Sequence, residues 1–258
     1  MTNSTDILTD QTGLKQQLDN YVEQYETKDF IKDDPVQFCH KFKNPKDIEL
    51  AGFIASLFAF GNRKVFINKL NKLFDLFQNE PCNFIENYNG QTLDGFNYRF
   101  AKENDVIIVL SALNSLYKHG DTLMTLFQDY FEKEKDIFGM LCKISEYFYK
   151  TIETSCGAKY LIPDARKRCA MKRMNMFLRW MVRCSEVDLG LWNFIPTSDI
   201  LIPLDTHVAR ISRNLGLLKR ASNDFKAVVE LTNNLKQFDK NDPVKYDFAL
   251  FGYGVNEK

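Results

Sequence analysis

The chain has 258 residues, 45% of them hydrophobic, enough for one large domain or two small lobes around a sizeable core. Its 34 Lys and Arg offset 34 Asp and Glu, which excludes a uniformly basic nucleic-acid binder and leaves any such surface to local clustering. No apolar run approaches the roughly 18 residues of a membrane span, and Met1-Thr2-Asn3-Ser4-Thr5-Asp6 has neither the basic patch nor the apolar stretch of a leader, so a cytoplasmic protein is expected.

Residues 1–10 read as frayed. Thr12 to Glu26 forms a helix through Leu14, Leu18, Tyr21, Val22 and Tyr25, and Asp34-Pro35 caps a second with Val36, Phe38 and Phe42. Asn44-Pro45-Lys46-Asp47 opens a long helix, Ile48 to Phe60, apolar almost all round and therefore buried in the middle of the fold. It ends at Gly61-Asn62-Arg63, a polar-tipped elbow, before another helix through Val65, Phe66, Leu70, Leu73, Phe74 and Phe77.

Glu80-Pro81 and Asn89-Gly90 bracket a short segment. Val106 to Tyr117, Thr122 to Phe131 and Ile137 to Tyr149 then show apolar i, i+3, i+4 spacing. Cys156-Gly157 breaks the pattern. Ala165 to Val182 reads as one helix, with Ala170, Met174, Phe177, Leu178 and Met181 inward and its basic residues outward. A connector through Trp192 and Pro196 leads to the helix after Asp205, and Phe225 to Leu235 and Val244 to Leu250 close the chain. Period-two alternation is absent, so the fold class is all-α, with about a dozen helices.

Six cysteines, Cys39, Cys82, Cys142, Cys156, Cys169 and Cys184, are scattered with no Cys-x-x-Cys pair and read as reduced, mostly buried thiols. His40, His119 and His207 lie far apart with no companion spacing, so no metal is expected.

Two stretches carry chemistry. Between Lys159 and Arg183 stand eight basic residues against the single Asp164. Pro203-Leu204-Asp205-Thr206-His207-Val208-Ala209-Arg210 places an N-capping aspartate at the mouth of an amphipathic helix with Val208, Ile211 and Leu215 on its buried face. By itself such an aspartate only caps.

That second run, continued by Leu215-Gly216-Leu217, resembles the segment after the hairpin in the helix-hairpin-helix DNA glycosylases, the endonuclease III superfamily. The nearer likeness is to a bacterial family known only as a domain of unknown function, itself similar to archaeal 8-oxoguanine DNA glycosylases. The resemblance implies two helical lobes with a cleft between them, residues 34–183 forming the central lobe and 1–33 with 184–258 the second. It makes Asp205 the catalytic carboxylate. It makes Lys172, in Arg168-Cys169-Ala170-Met171-Lys172-Arg173 and 33 residues before Asp205, the amine nucleophile of a bifunctional enzyme, the long spacing being that of the archaeal branch. The Gly-x-Gly hairpin turn is missing, so phosphate would be held by basic side chains and helix N-termini.

The resemblance further implies a monomer acting on double-stranded DNA that contains a damaged base, 8-oxoguanine being the best guess, in the nucleoid. Asn62, Arg63, Arg166, Lys167, Arg168, Arg173, His207 and Arg210 would contact DNA, and Trp180, Trp192, Phe251 and Tyr253 would line the base pocket. No cofactor is expected, since only Val255-Asn256-Glu257-Lys258 follow Gly254 and iron-sulfur ligands are missing. A monofunctional glycosylase with Asp205-activated water, and a non-catalytic helical binding protein, are the alternatives.

Overall fold

A computed structural model describes the backbone of residues 4–256 and side chains from 12 onward. The chain is all-α. Helix α1 (Ser4–Tyr25) already covers most of the stretch read as frayed, and residues 1–3 lie outside the described part. A short α2 (Lys28–Asp33) leads to Asp34, whose carboxylate accepts from the Val36 amide and opens a 3₁₀ turn, Pro35–Lys41.

Helix α3 (Pro45–Phe58), capped by Asn44 at the Lys46 amide, is the central element, every residue from Ile48 to Phe58 being buried. Burying Glu49 there requires partners. Its carboxylate accepts from the Tyr117 hydroxyl at 2.5 Å and from the Leu123 and Met124 amides, so it also seats the start of a neighbouring helix. Around α3 lie α4 (Arg63–Leu76), α5 (Pro81–Glu86), α6 (Glu103–Tyr117), α7 (Leu123–Glu134), α8 (Ile137–Ile152) and α9 (Cys156–Leu161). Helix α9 starts where Cys156-Gly157 had been read as a break: Ser155 caps it at the Ala158 amide, and Gly157 is buried against Asp105.

The expected single helix from Ala165 to Val182 is two elements. A 3₁₀ turn, Ala165–Lys167, ends at Arg168 with φ +54°, and α10 (Lys172–Val182) begins only after Met171 at φ +51°. Between them Cys169 bridges Asp224, and the Phe225 amide donates to the Arg168 carbonyl. Tertiary pairing here overrides helical periodicity, and two side-chain-bearing residues take the left-handed backbone that glycine usually supplies.

An irregular stretch, residues 183–205, precedes α11 (Thr206–Asn214), α12 (Phe225–Leu235) and α13 (Tyr246–Asn256). Two apolar clusters result. One is built on α3 to α10 with Val187, Trp192, Ile195 and Ile200 from the connector. The other joins Leu18 of α1 to Val208, Ile211, Val228, Leu231, Ala249 and Leu250 of α11 to α13. All six cysteines are free thiols, but Cys156 and Cys184 are exposed and Cys142 and Cys169 half-buried, so only Cys39 and Cys82 match the buried state expected of most of them. No helix among the described residues is long and apolar enough to cross a membrane.

Candidate active site

A cavity of about 630 Å³, well inside the range of small-molecule sites, opens between α10 and the α11–α13 pair. Lys172 and Asp205 both line it. Each stands at the start of a helix: Lys172 is the first residue of α10, and Asp205 caps α11, its Oδ1 accepting from the His207 and Val208 amides at 2.8 and 2.9 Å. Two helix N-termini therefore bring an amine and a carboxylate to one space.

Lys172 is half-buried. Its Nζ touches Met176 Sδ at 3.5 Å, and among the described residues no carboxylate comes within ion-pair distance of it. Burial lowers its pKa below the ordinary 10.5, against the pull of Asp205, Asp34 and Asp247, which favour the ammonium; Arg173 adds to the lowering. Arg168 stacks instead on Phe138, with 5.0 Å from guanidinium carbon to ring centroid. Position at the head of α10 works in the same direction, because the helix dipole disfavours a cation there.

The cavity also holds acidic groups that the sequence reading did not single out. Asp34, buried at its cap position, has its carboxyl raised above 3.8 by burial, partly offset by the Val36 amide. Asp247, 7% exposed, is pushed up to about 7 by burial and by the neighbouring Asp205, despite its ion pair with Arg179. Burial opposes charge on Arg179 as well, yet Asp188 and Asp247 hold its pKa above the usual value. Arg179, Asp188, Arg183, Asp242 and Glu26 continue as one chain of ion pairs, buried at Arg179, Asp188 and Arg183, that joins the end of α10 to Glu26 just after α1 and to Asp242 ahead of α13.

The basic run divides. Arg166, Lys167 and Arg168 are exposed on the 3₁₀ turn, with Arg166 turned back onto Asp164 at 2.7 Å. Arg179, expected on an outward face, is buried at 3% exposure, and Arg183 just past that helix at 5%, because carboxylates meet them there. Arg173, expected to contact DNA, is half-buried, its Nη1 on the Leu57 carbonyl and Nη2 on the Tyr160 carbonyl, so its donors are spent on helix ends.

Other expected contacts scatter. Arg63 lines the cavity with its guanidinium over Phe251 at 5.1 Å, whereas Asn62 caps α4 by accepting from the Val65 amide. His207 also lines it, its ring roughly perpendicular to that of Phe251, while Arg210 Nη2 donates to the Gly254 carbonyl. Phe251 is the one expected base-pocket aromatic in the lining. Trp180 and Trp192 are corrections: both are core, 0% and 2% exposed, and Trp192 packs among Phe127, Phe177 and Phe194. Tyr253 stacks on Tyr21 of α1 at 4.8 Å, on another face of α13 from Phe251.

The missed lining residues did carry a signal. Lys172, Met176 and Arg179 stand at i, i+4 and i+7 on one face of α10, and Asp247, Phe251 and Val255 at i, i+4 and i+8 on one face of α13. Reading outward from Lys172 and from Phe251 at helical spacing finds them. Among the described residues no three His, Cys, Asp or Glu side chains gather as a metal-binding group.

No curated protein and no solved structure matches the chain. A family model described as "Protein of unknown function (DUF2400)" matches residues 34–256, from the cavity-lining Asp34 to the end of α13. The chain therefore belongs to the DUF2400 family.

Proposed function

We propose that the protein is a DNA base-excision glycosylase with lyase activity, acting on an oxidised purine extruded into the cavity, with 8-oxoguanine the first substrate to test. One observation carries the reading: an amine with a lowered pKa and a helix-capping carboxylate face the same nucleotide-scale space. Nζ of Lys172 attacks C1′ of the extruded nucleotide and the N-glycosidic bond breaks, its electron pair leaving with the base, which takes a proton. Asp205 stabilises the positive charge that develops on the sugar. Nζ gives up its protons, one of them to the ring oxygen as the C1′–O4′ bond opens, leaving an imine; loss of a C2′ proton to water then forms a C2′–C3′ double bond and expels the 3′ phosphate with the electron pair of the C3′–O bond. Phosphates are held by Arg166, Lys167 and Arg168 and by the first turn of α10, which no side chain caps.

Borohydride trapping on duplexes carrying different lesions tests this. A covalent adduct on native protein, lost in Lys172→Gln, is the expected result. The three carboxylates around Lys172 favour its ammonium and so support a second reading, in which Asp205 activates water and Lys172 only binds phosphate. Base release without any trapped adduct would select that reading. No release on any lesion would reject both and leave a non-catalytic binding protein.

A further inference from the structure

Beside the cavity the chain makes a tight turn whose tip holds Phe100 out in solvent while the Arg99 guanidinium folds back against Gly61. Tyr98 and Ala101 exchange backbone hydrogen bonds at 2.9 Å, and between them Arg99, at φ +51°, and Phe100 form the tip. Phe100 is 61% exposed, unusual for an isolated phenyl ring. It is not isolated in fact: its ring lies 5.0 Å from that of Tyr160, Tyr160 lies 5.0 Å from Phe60, and Phe60 lies 4.9 Å from Tyr98. Because Phe60 lines the cavity, this row of rings runs from the cavity wall outward to Phe100.

The row is held stiffly. The Tyr98 hydroxyl donates to the Phe60 carbonyl, and Arg173, pinned on the Leu57 and Tyr160 carbonyls, covers both Phe60 and Tyr160 at 5.2 and 5.4 Å. Gly61, at φ +82°, lets the turn approach, since a Cβ there would overlap the Arg99 guanidinium and lie 2.8 Å from the Tyr98 hydroxyl. At the outer end Arg99 lies over Phe100 at 5.7 Å. Exposed aromatic faces edged by guanidinium groups match the chemistry of a nucleobase on a polyanionic strand. Two exposed rings are far too little for a stable protein interface, which needs roughly 1,200 Å² or more.

Resting on the glycosylase reading, we propose that Phe100, backed by Tyr160 and Arg99, is a stacking platform for an unpaired base next to the nucleotide held in the cavity. Arg63 lies over Phe251 and Asn62 caps α4, so the two elbow residues expected to contact DNA have their side chains engaged within the protein. Phe100, on a separate turn, keeps its ring exposed.

The test uses full-length protein and duplexes carrying a stable abasic analogue, with 2-aminopurine opposite it, beside it, or in a fully paired control. Native protein is expected to quench 2-aminopurine opposite the analogue, where it has no pairing partner, more than 2-aminopurine beside it, and to bind that duplex in preference to the paired control. Phe100→Ala is expected to lose the quenching and to weaken binding about tenfold, within the range of base–aromatic stacking, while Phe100→Trp retains both. Thermal unfolding of both variants checks folding, which an exposed side chain leaves unchanged. Quenching and affinity in Phe100→Ala equal to native, or equal native affinity for paired and unpaired duplexes, would overturn the platform. If native protein binds no DNA, the glycosylase reading falls and takes the platform with it. If Phe100-dependent quenching occurs but no lesion gives base release or trapping, the platform stands and only the enzyme falls.

Discussion

Lys172 and Asp205, 33 residues apart in the chain, are both the leading polar residue of a helix, and the two helix starts open onto one cavity. The arrangement gives each a separate task. Asp205 is already tied to its own helix by two amides, so it keeps its place whether or not the cavity is filled, whereas the Lys172 amine, among the described residues, has only the Met176 thioether within hydrogen-bond distance.

Asp205 caps α11, and on the proposed reading it also stabilises the reacting sugar; substitutions separate the two. Asp205→Asn keeps the cap, so its Tm should stay within a degree or two of native while single-turnover base release falls about 10²–10³-fold. Asp205→Ala should lose the same activity and also about 1 kcal/mol of stability with the cap. Full activity in Asp205→Asn would remove the carboxylate from the reaction.

Imine formation should follow the free amine of Lys172. Because burial sets its pKa below 10.5, the trapping rate should rise with pH and level off before that value. Asp34→Asn takes away one of the carboxylates that favour the ammonium, so the plateau should move to lower pH. Trapping rates between pH 5 and 9.5 for both proteins check the direction; an upward move would contradict it.

Asp34 also carries a stability cost with a defined sign. Its carboxyl is raised above 3.8 in the folded protein, so the folded state binds that proton more tightly than the unfolded chain, and stability is lost as pH rises through the window above 3.8. Asp34→Asn retains the cap on Val36 and removes the charge. Its Tm should exceed native by about 2–4 °C at pH 7, the size of shift that ~1 kcal/mol produces in a protein of this length. The gap should close below pH 3.8.

Arg179 neutralises two buried aspartates at once. Arg179→Met leaves Asp188 and Asp247 without that partner and should cost about 3–5 kcal/mol at pH 8, read by urea unfolding. Both carboxyls would then sit further above their unfolded pKa, so part of the loss should return as pH is lowered toward 5. A loss independent of pH would mean that packing over Phe248, 4.2 Å from the guanidinium carbon, is the larger contribution.

Helices α1 and α13 approach at Gly252, where a Cβ would overlap the Tyr25 ring. Gly252→Ala should destabilise the protein by about 1–3 kcal/mol despite the better helix propensity of alanine. Since Phe251 sits one residue away and lines the cavity, the same variant should lose DNA affinity.

Much of the helical layout was legible from the residues. Leu50, Phe53, Ile54, Leu57 and Phe58 mark α3 as central because apolar residues on every face admit no solvent-facing side, and the structure buries them all. The short α2 and α9 were not legible, having too few turns for a periodicity, and α10 was read seven residues too long because Ala165, Arg168 and Cys169 suit a helix locally. The resemblance put Trp180 and Trp192 in the base pocket, but side chains of that size suit the core equally well, and the core is where they lie.

Capping is the clearest case of local information: Asn44, Thr122 and Asp205 bond amides two or three residues ahead, so a tetrapeptide is enough to settle them. The cavity is the opposite case. Asp34, Lys172, Asp205 and Asp247 come from four distant segments, and what puts them together is the packing of α10 on α3 and of α13 on α1 and α11. Helical spacing says which residues share a face, but a face acquires a partner only when the core closes. Which charges are desolvated, and with that the lowered pKa of Lys172 and the raised ones of Asp34 and Asp247, follows from that closure alone.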